Sequence, residues 1–203
     1  MTEPAIKVVL FDVGNVIIRA THEITHAILR DYGVPYATAI RFYANDDYPE
    51  FSRGRLTATE FGERARARMN GALSVPQIYC AHNAHLYDED EGVVVILDAL
   101  QSRGVPLAFA TDTNQWQTDR ERELIDLRTY GRAFRSNELG ALKADGGAFA
   151  HIVAEIDVHP SHILFVDDSP EKIERAAALG MVTHRFTSAT TLRQELARLD
   201  LLD

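Results

Sequence analysis

Cysteine is almost missing from this chain: Cys80 is the single one, so no disulfide can form within the chain and its core must hold the fold. That usage fits a reducing compartment, and a cytoplasmic location is expected. Basic charge is also in short supply. The sequence carries 21 Lys and Arg against 30 Asp and Glu, a formal net charge of −9. Such a balance argues against a protein that grips nucleic acid or an anionic membrane through its overall field. An anion can still be bound locally, by a metal, a lysine and backbone N–H groups. Long apolar runs are missing too. The opening MTEPAIKVVLFDVGNVIIRA has acids at Glu3 and Asp12 and no basic start, so neither a signal peptide nor a membrane span is expected. No internal repeat and no low-complexity tract occurs.

What is present is ordinary globular material: 203 residues, 46% hydrophobic and 25% charged. This suits one domain, or a core domain carrying an inserted module. Ile6–Phe11 is a short β-branched apolar run followed by Gly14, the pattern of a buried parallel strand. From about Thr21 to Asp88 no comparable run occurs. Helices are expected there around Glu23–Asp31, Tyr36–Tyr43, Thr57–Met69 and Val75–Leu86, with turns at Gly33–Pro35, Asp46–Pro49 and Asn70–Gly71. Thr57-Ala-Thr-Glu60 has the form of a capping box. The acidic tract Asp88–Glu91 reads as a solvated linker and hinge.

After Glu91, strands and helices alternate. Val105–Thr111, His162–Asp168 and Met181–Phe186 read as strands, Arg132–Ser136 is a short segment between helices, and helices fill the intervals. This implies a three-layer α/β fold, a Rossmann-like parallel sheet with right-handed crossovers. The expected division is an α/β core of residues 1–18 and 89–203, with a helical cap at 19–88.

Ligands of open parallel sheets bind beyond the carboxyl ends of the strands. The residues at those ends are Asp12, Thr111–Asp112 and Asp167–Asp168, with Lys143 in the loop GALKADGG. Two like charges ~5 Å apart repel by roughly 3 kcal/mol at an effective dielectric near 20. Three carboxylates in one crevice therefore call for a cation, and Mg²⁺ is the hard, oxygen-liking choice. Each residue alone has a plainer role: Asp12 as a cap or turn former, Asp167-Asp168-Ser169-Pro170 as a capping loop, Lys143 as a surface lysine. Their order along the chain is what carries the signal.

In that order the chain resembles the haloacid dehalogenase superfamily of hydrolases. FDVGNVI looks like its first motif, ATDTN like its second, Lys143 like its third-motif lysine and FVDDSPEKI like its acidic fourth motif. DVGNVI and FSRGRLTATEF look closest to small sugar-phosphate phosphatases, such as glucose-1-phosphate phosphatase. The resemblance implies Asp12 as nucleophile, and Thr111, Asp112 and Lys143 at the phosphate. It also implies Mg²⁺ on Asp12, the Gly14 carbonyl, Asp167 and Asp168. The expected partner is a small phosphate ester.

Two departures stand out. Many such phosphatases carry a general-acid Asp two residues after the nucleophile, where this chain has Gly14. Asp112 stands where Asn is common, which requires its carboxylate to point away from the phosphate or to bond a backbone N–H. Among weaker signals, His22 and His26 share a helix face by spacing. Cys80, His82 and His85 do not share one. Arg19, Tyr43, Tyr48, Arg53 and Arg55 are candidate substrate contacts. The rival readings are a 2-haloacid dehalogenase, which needs no metal, a phosphomutase, and a non-catalytic protein on the same fold.

Overall fold

The computed structural model describes residues 5–203, so positions 1–4 of the expected core segment lie outside it. The chain opens with β1 (Val8–Phe11), buried at every position. A turn leads to β2 (Ile18–Ala20). Five helices follow: α1 (His22–Asp31), α2 (Tyr36–Ala39), α3 (Asp47–Ser52), α4 (Ala58–Arg68) and α5 (Val75–Asn83). β3 (Leu86–Glu89) then returns antiparallel to β2. The remainder alternates. It runs through α6 (Glu91–Ser102), β4 (Leu107–Thr111), α7 (Gln115–Leu124), β5 (Gly131–Arg135), α8 (Ser136–Leu139) and α9 (Ala148–Ile156). It closes with β6 (Ile163–Asp167), α10 (Pro170–Ala178), β7 (Val182–Arg185) and α11 (Ala189–Arg198).

Among the described residues the main sheet has five strands in the order β5-β4-β1-β6-β7, all parallel. The expected α/β class is the observed one. Strand side chains alternate between faces, and this splits the core into two layers. Val9, Phe11, Phe109 and Leu164 pack with α6 and α11 on one face; Val8, Leu10 and Phe165 pack with α9 and α10 on the other. In α6, buried Val93, Ile96, Leu97 and Leu100 recur at the spacing of one helix face.

The helices between β2 and β3 have a hydrophobic cluster of their own. Phe51 stacks on Phe61 at 4.4 Å between ring centroids, and Trp116 from α7 meets Phe61 edge-on at 5.2 Å. The capping box at Thr57 and Glu60 forms as expected and starts α4.

Three local expectations need correction. The segment expected as a turn at Asp46–Pro49 starts α3; Pro49 is tolerated because it sits in the first helical turn, where its missing N–H has no helical partner to lose. The helix expected over Val75–Leu86 stops at Asn83, and the tract expected as linker supplies β3, whose pairing with β2 no periodicity announces. Asp90 in the same tract caps α6, its carboxylate accepting from Val93 N at 3.2 Å.

Candidate active site

β1 lies in the middle of the sheet, between β4 and β6, with Phe11 in register with both Phe109 and Val166. The residues at the carboxyl ends of these three strands are therefore neighbours. The backbone N–H of Asp12 donates to Val166 O at 2.8 Å, so the residue is still held by the sheet when its side chain meets the crevice. The turn after it is tight: Asn15 takes a left-handed φ of 56°, Ile17 N and Ile18 N both donate to Val13 O, and Ala20 N donates to the Asn15 side chain at 3.0 Å.

Asp12 is 4% exposed, Lys143 3% and Asp167 0%. Lys143 Nζ stands 2.7 Å from Asp12 Oδ1 and 2.8 Å from Asp167 Oδ2. Asp12 Oδ1 also accepts from Val13 N at 2.7 Å. Asp167 Oδ1 accepts from Ser169 N at 2.9 Å, so both of its oxygens are engaged. The loop bearing Lys143 is pinned at three points: Lys143 N donates to Asp112 Oδ1 at 2.8 Å, Leu142 N to Asp145 Oδ2 at 2.9 Å, and Asp145 N to Leu142 O at 2.8 Å. The bond to Lys143 N is how Asp112 is accommodated: its carboxylate serves the backbone of the lysine loop.

Lys172, in the first turn of α10, was not expected as a site residue. Its Nζ lies 3.6 Å from Asp12 Oδ2 and 3.7 Å from Asp112 Oδ2, and it lines a cleft of about 410 Å³ together with Asp12, Gly14, Thr111 and Asp168. Lys143 sits behind Asp12, away from that cleft wall. A signal for Lys172 was present in the sequence. A cation in the first turn of a helix opposes the macrodipole, so it needs acids nearby to account for it.

The carboxylates feel this arrangement unequally. For Asp12, burial opposes the charged form, but Lys143 and then Lys172 outweigh it and hold the carboxyl below its ordinary range. For Asp167, burial and then the charge on Asp12 push the pKa up to about 7. Lys172 is raised above its ordinary range: burial disfavours its charge, and Asp12 and Asp167 more than compensate.

Four carboxylates, Asp12, Asp112, Asp167 and Asp168, thus face two ammonium groups, and the buried set is short of positive charge. Asp12, Asp167 and Asp168 each offer an oxygen within 4.8 Å of the others. A set of hard oxygens in which carboxylates outnumber ammonium groups fits a divalent cation such as Mg²⁺.

Of the weaker candidates, His22 and Tyr48 line the cleft, and so does His85, which sequence reasoning had grouped with Cys80 and His82. Those three do not converge on a metal: Cys80 is exposed, His82 Nδ1 bonds Asn83 at 2.9 Å, and His85 Nδ1 donates to the His82 carbonyl. Tyr43 stacks on His22 at 3.7 Å between ring centroids, behind the wall. Arg19 pairs with Asp88 and Asp90, and Arg55 pairs with Glu50. Arg53 forms a two-pronged bond to Asp145, 2.8 Å from Nε to Oδ2 and 2.8 Å from Nη2 to Oδ1. None of these arginines lines the cleft.

A family model for haloacid dehalogenase-like hydrolases matches residues 6–180. The chain belongs to this family. Proteins of similar sequence include the Enolase-phosphatase E1 of Bradyrhizobium sp. (strain BTAi1 / ATCC BAA-1182), 28% identical over 114 residues that make up 55% of this chain and 48% of that protein. The chain thus spans about half the length of that relative. The Sesquiterpene phosphatase astK of Aspergillus oryzae is 23% identical over 95% of this chain and 96% of that one.

Among solved structures, the haloacid dehalogenase family enzyme bt-2542 of Bacteroides thetaiotaomicron, in complex with magnesium and inorganic phosphate, superposes with a TM-score of 0.81. That match has 22% identity and covers 90% of this chain and 94% of that one. L-2-haloacid dehalogenase from Xanthobacter autotrophicus superposes at 0.64, with 16% identity over 95% and 83% of the two chains. At these identities the likeness is one of fold. The hydrolase family therefore holds this chain as an enzyme, and no described helix is long and apolar enough to cross a membrane.

Proposed function

We propose that this hydrolase is a Mg²⁺-dependent phosphatase acting on a small phosphomonoester through Asp12. The observation that carries the reading is the arrangement around Asp12: a buried carboxylate kept ionised by two lysines, inside a cluster of acids whose oxygens lie close enough to share a cation. The phosphatase names of two sequence relatives, and the magnesium and phosphate bound to a structural neighbour, support it.

In this reading Asp12 attacks phosphorus, the ester P–O bond breaks, and an aspartyl-phosphate forms. Water then hydrolyses it, releasing phosphate and restoring the carboxylate. Asp12, Asp168 and the Gly14 carbonyl would hold Mg²⁺, with Asp167 at the buried corner of the cluster. When bound there, the ion would supply positive charge to offset the negative charge building on the phosphoryl oxygens. Lys143 keeps Asp12 ionised and oriented. Thr111 and Lys172, which line the cleft, meet the phosphoryl group, and Asp112 holds the loop that presents Lys143 to Asp12. Segment 19–88 acts as a cap over the core of residues 1–18 and 89–203, and supplies the wall that meets the leaving group. A sugar phosphate, as the DVGNVI and FSRGRLTATEF segments imply, is a substrate of the right size for this cleft.

The test is release of phosphate from a panel of sugar, alkyl and aryl phosphates, with Mg²⁺ and with chelator, for the wild type and Asp12→Asn. Release should need Mg²⁺ and fall by roughly 10³-fold or more in the variant, because an amide cannot attack phosphorus. Metal-independent release of halide from a 2-haloacid, without phosphate release, would favour the dehalogenase reading instead.

A further inference from the structure

The cleft has a charged floor and a nearly neutral upper wall. The floor is formed by Asp12, Asp168 and Lys172. The wall is formed by His22, Tyr48, His85 and Leu86, joined by Gln117 and Glu121 of α7. The basic residues of segment 19–88 are largely committed elsewhere. Arg64 and Arg68 pair with Asp47 and Arg66 with Glu63, in addition to the pairs of Arg19, Arg53 and Arg55 already described.

The histidines of the wall do not supply a cation near neutral pH. Burial, and then His26, holds His22 below its ordinary range; burial takes His85 down to about 4. Geometry says the same of His85. Its Nδ1 must donate to the His82 carbonyl, so Nε2 is left as an acceptor for the Gln117 amide at 2.9 Å. Gln117 Oε1 accepts from Asn114 N at 3.2 Å, which fixes that amide's orientation. Burial raises the Tyr48 phenol, so the hydroxyl keeps its proton. Among the described residues the wall therefore carries one formal charge, the Glu121 carboxylate. It is buried at 2% exposure and bonded at 2.5 Å to Arg135 Nη2, which lies outside the cleft lining.

We infer that the substrate's leaving group is an uncharged alcohol, and that the wall rejects esters with a second phosphate or a carboxylate on that side. The inference rests on the phosphoester reading above and sharpens it. An anionic tail would exchange water for neutral rings, an already committed amide and a carboxylate, with no cation to receive it. A neutral tail loses little hydration and finds the faces of uncharged rings and Leu86.

Two tail-matched probes test this by binding alone: hydroxypropyl phosphonate and carboxyethyl phosphonate, titrated calorimetrically into the Mg²⁺-loaded full chain. The neutral tail should bind about tenfold or more tightly than the carboxylate. His22→Arg, a change in the first turn of α1, places a cation at the mouth of the wall and should erase the difference. Circular dichroism confirms that the variant is folded. Glycerol phosphate and phosphoglycerate give the parallel turnover comparison. Equal affinities in the wild type, a preference for the carboxylate, or a difference that persists in folded His22→Arg would overturn the inference. Tail discrimination without phosphate release from either ester would leave the neutral wall standing and remove the phosphatase reading.

Discussion

Asp12 depends on two lysines, Lys143 from a loop and Lys172 from the first turn of α10, and the residue next but one, Gly14, shapes what the site can do with a leaving group. A Cβ built on Gly14 meets nothing within 4 Å, and the residue is not among the glycines with positive φ. Room for a side chain therefore exists where many related phosphatases carry an acid. Gly14→Asp should speed alkyl esters by roughly 10–100-fold, the lower range of general-acid catalysis, and leave nitrophenyl phosphate nearly unchanged. Rates for a series of leaving-group pKa values check this; a uniform effect across the series would defeat it. His85 is unsuited to supply the missing proton, since both ring nitrogens are committed. Lys172 makes its own prediction. Lys172→Gln removes the cation from the cleft floor, so KM for any phosphate ester should rise about tenfold with a smaller loss in kcat. Steady-state kinetics on a generic aryl phosphate separate the two.

At the scale of elements, the end of α3 is fastened to the core beside the lysine loop. Arg53 grips Asp145, and Ser136 Oγ donates to Ser52 O at 2.7 Å. Gly54, at a left-handed φ of 69°, lies so close to Asn137 that an added Cβ would stand 2.2 Å from its carbonyl oxygen. Asp145 also receives Leu142 N, so one carboxylate serves both the fastening and the loop that presents Lys143. The hydrogen bond from Arg53, with the Leu142 N–H adding to it, lowers the Asp145 pKa to about 2. A depressed carboxylate stabilises the fold above its unfolded pKa. The contribution should be complete above about pH 5 and fade as the pH falls toward 2. Asp145→Asn should flatten the acid limb of a stability-versus-pH curve over that window. Its cost at neutral pH should be modest, about 0.5–1 kcal/mol, because the pair is partly exposed. It should also lower kcat by loosening the Lys143 loop. Denaturant melts at stepped pH, with kinetics beside them, measure both.

For the whole molecule, the acidic crevice couples metal to stability. Four carboxylates around two ammonium groups repel one another without a cation. Mg²⁺ at about 100 times its Kd should add roughly 2.7 kcal/mol of stability, and so raise Tm by roughly 5–10 °C in a chain of this size. Asp168→Ala should lose most of that gain while leaving the metal-free protein as stable as the wild type or more so, since one repelling charge is gone. Thermal melts with and without Mg²⁺ decide it. A wild-type Tm insensitive to millimolar Mg²⁺, with full activity in chelator, would remove the metal site.

Periodicity and local chemistry alone determined the parallel strands, most helices and the identity of the strand-end acids. Buried β-branched runs, caps and turn formers are short-range signals, and an Asp that ends such a run is visible as a letter. The Thr57 capping box and the run into Asp12 were legible for that reason. Tertiary structure decided what depends on residues far apart in the chain. The pairing of β2 with β3 joins segments some seventy residues apart, as the register of Ile18 with Glu89 shows. Lys172 meets Asp12 and Asp112 only because β1, β4 and β6 are neighbours. Arg53 was expected at the substrate and instead holds Asp145, because a charged side chain takes the partner that folding brings within reach. The neutrality of the cleft wall is likewise a tertiary property: it follows from where each arginine found its carboxylate and from how deeply each histidine is buried.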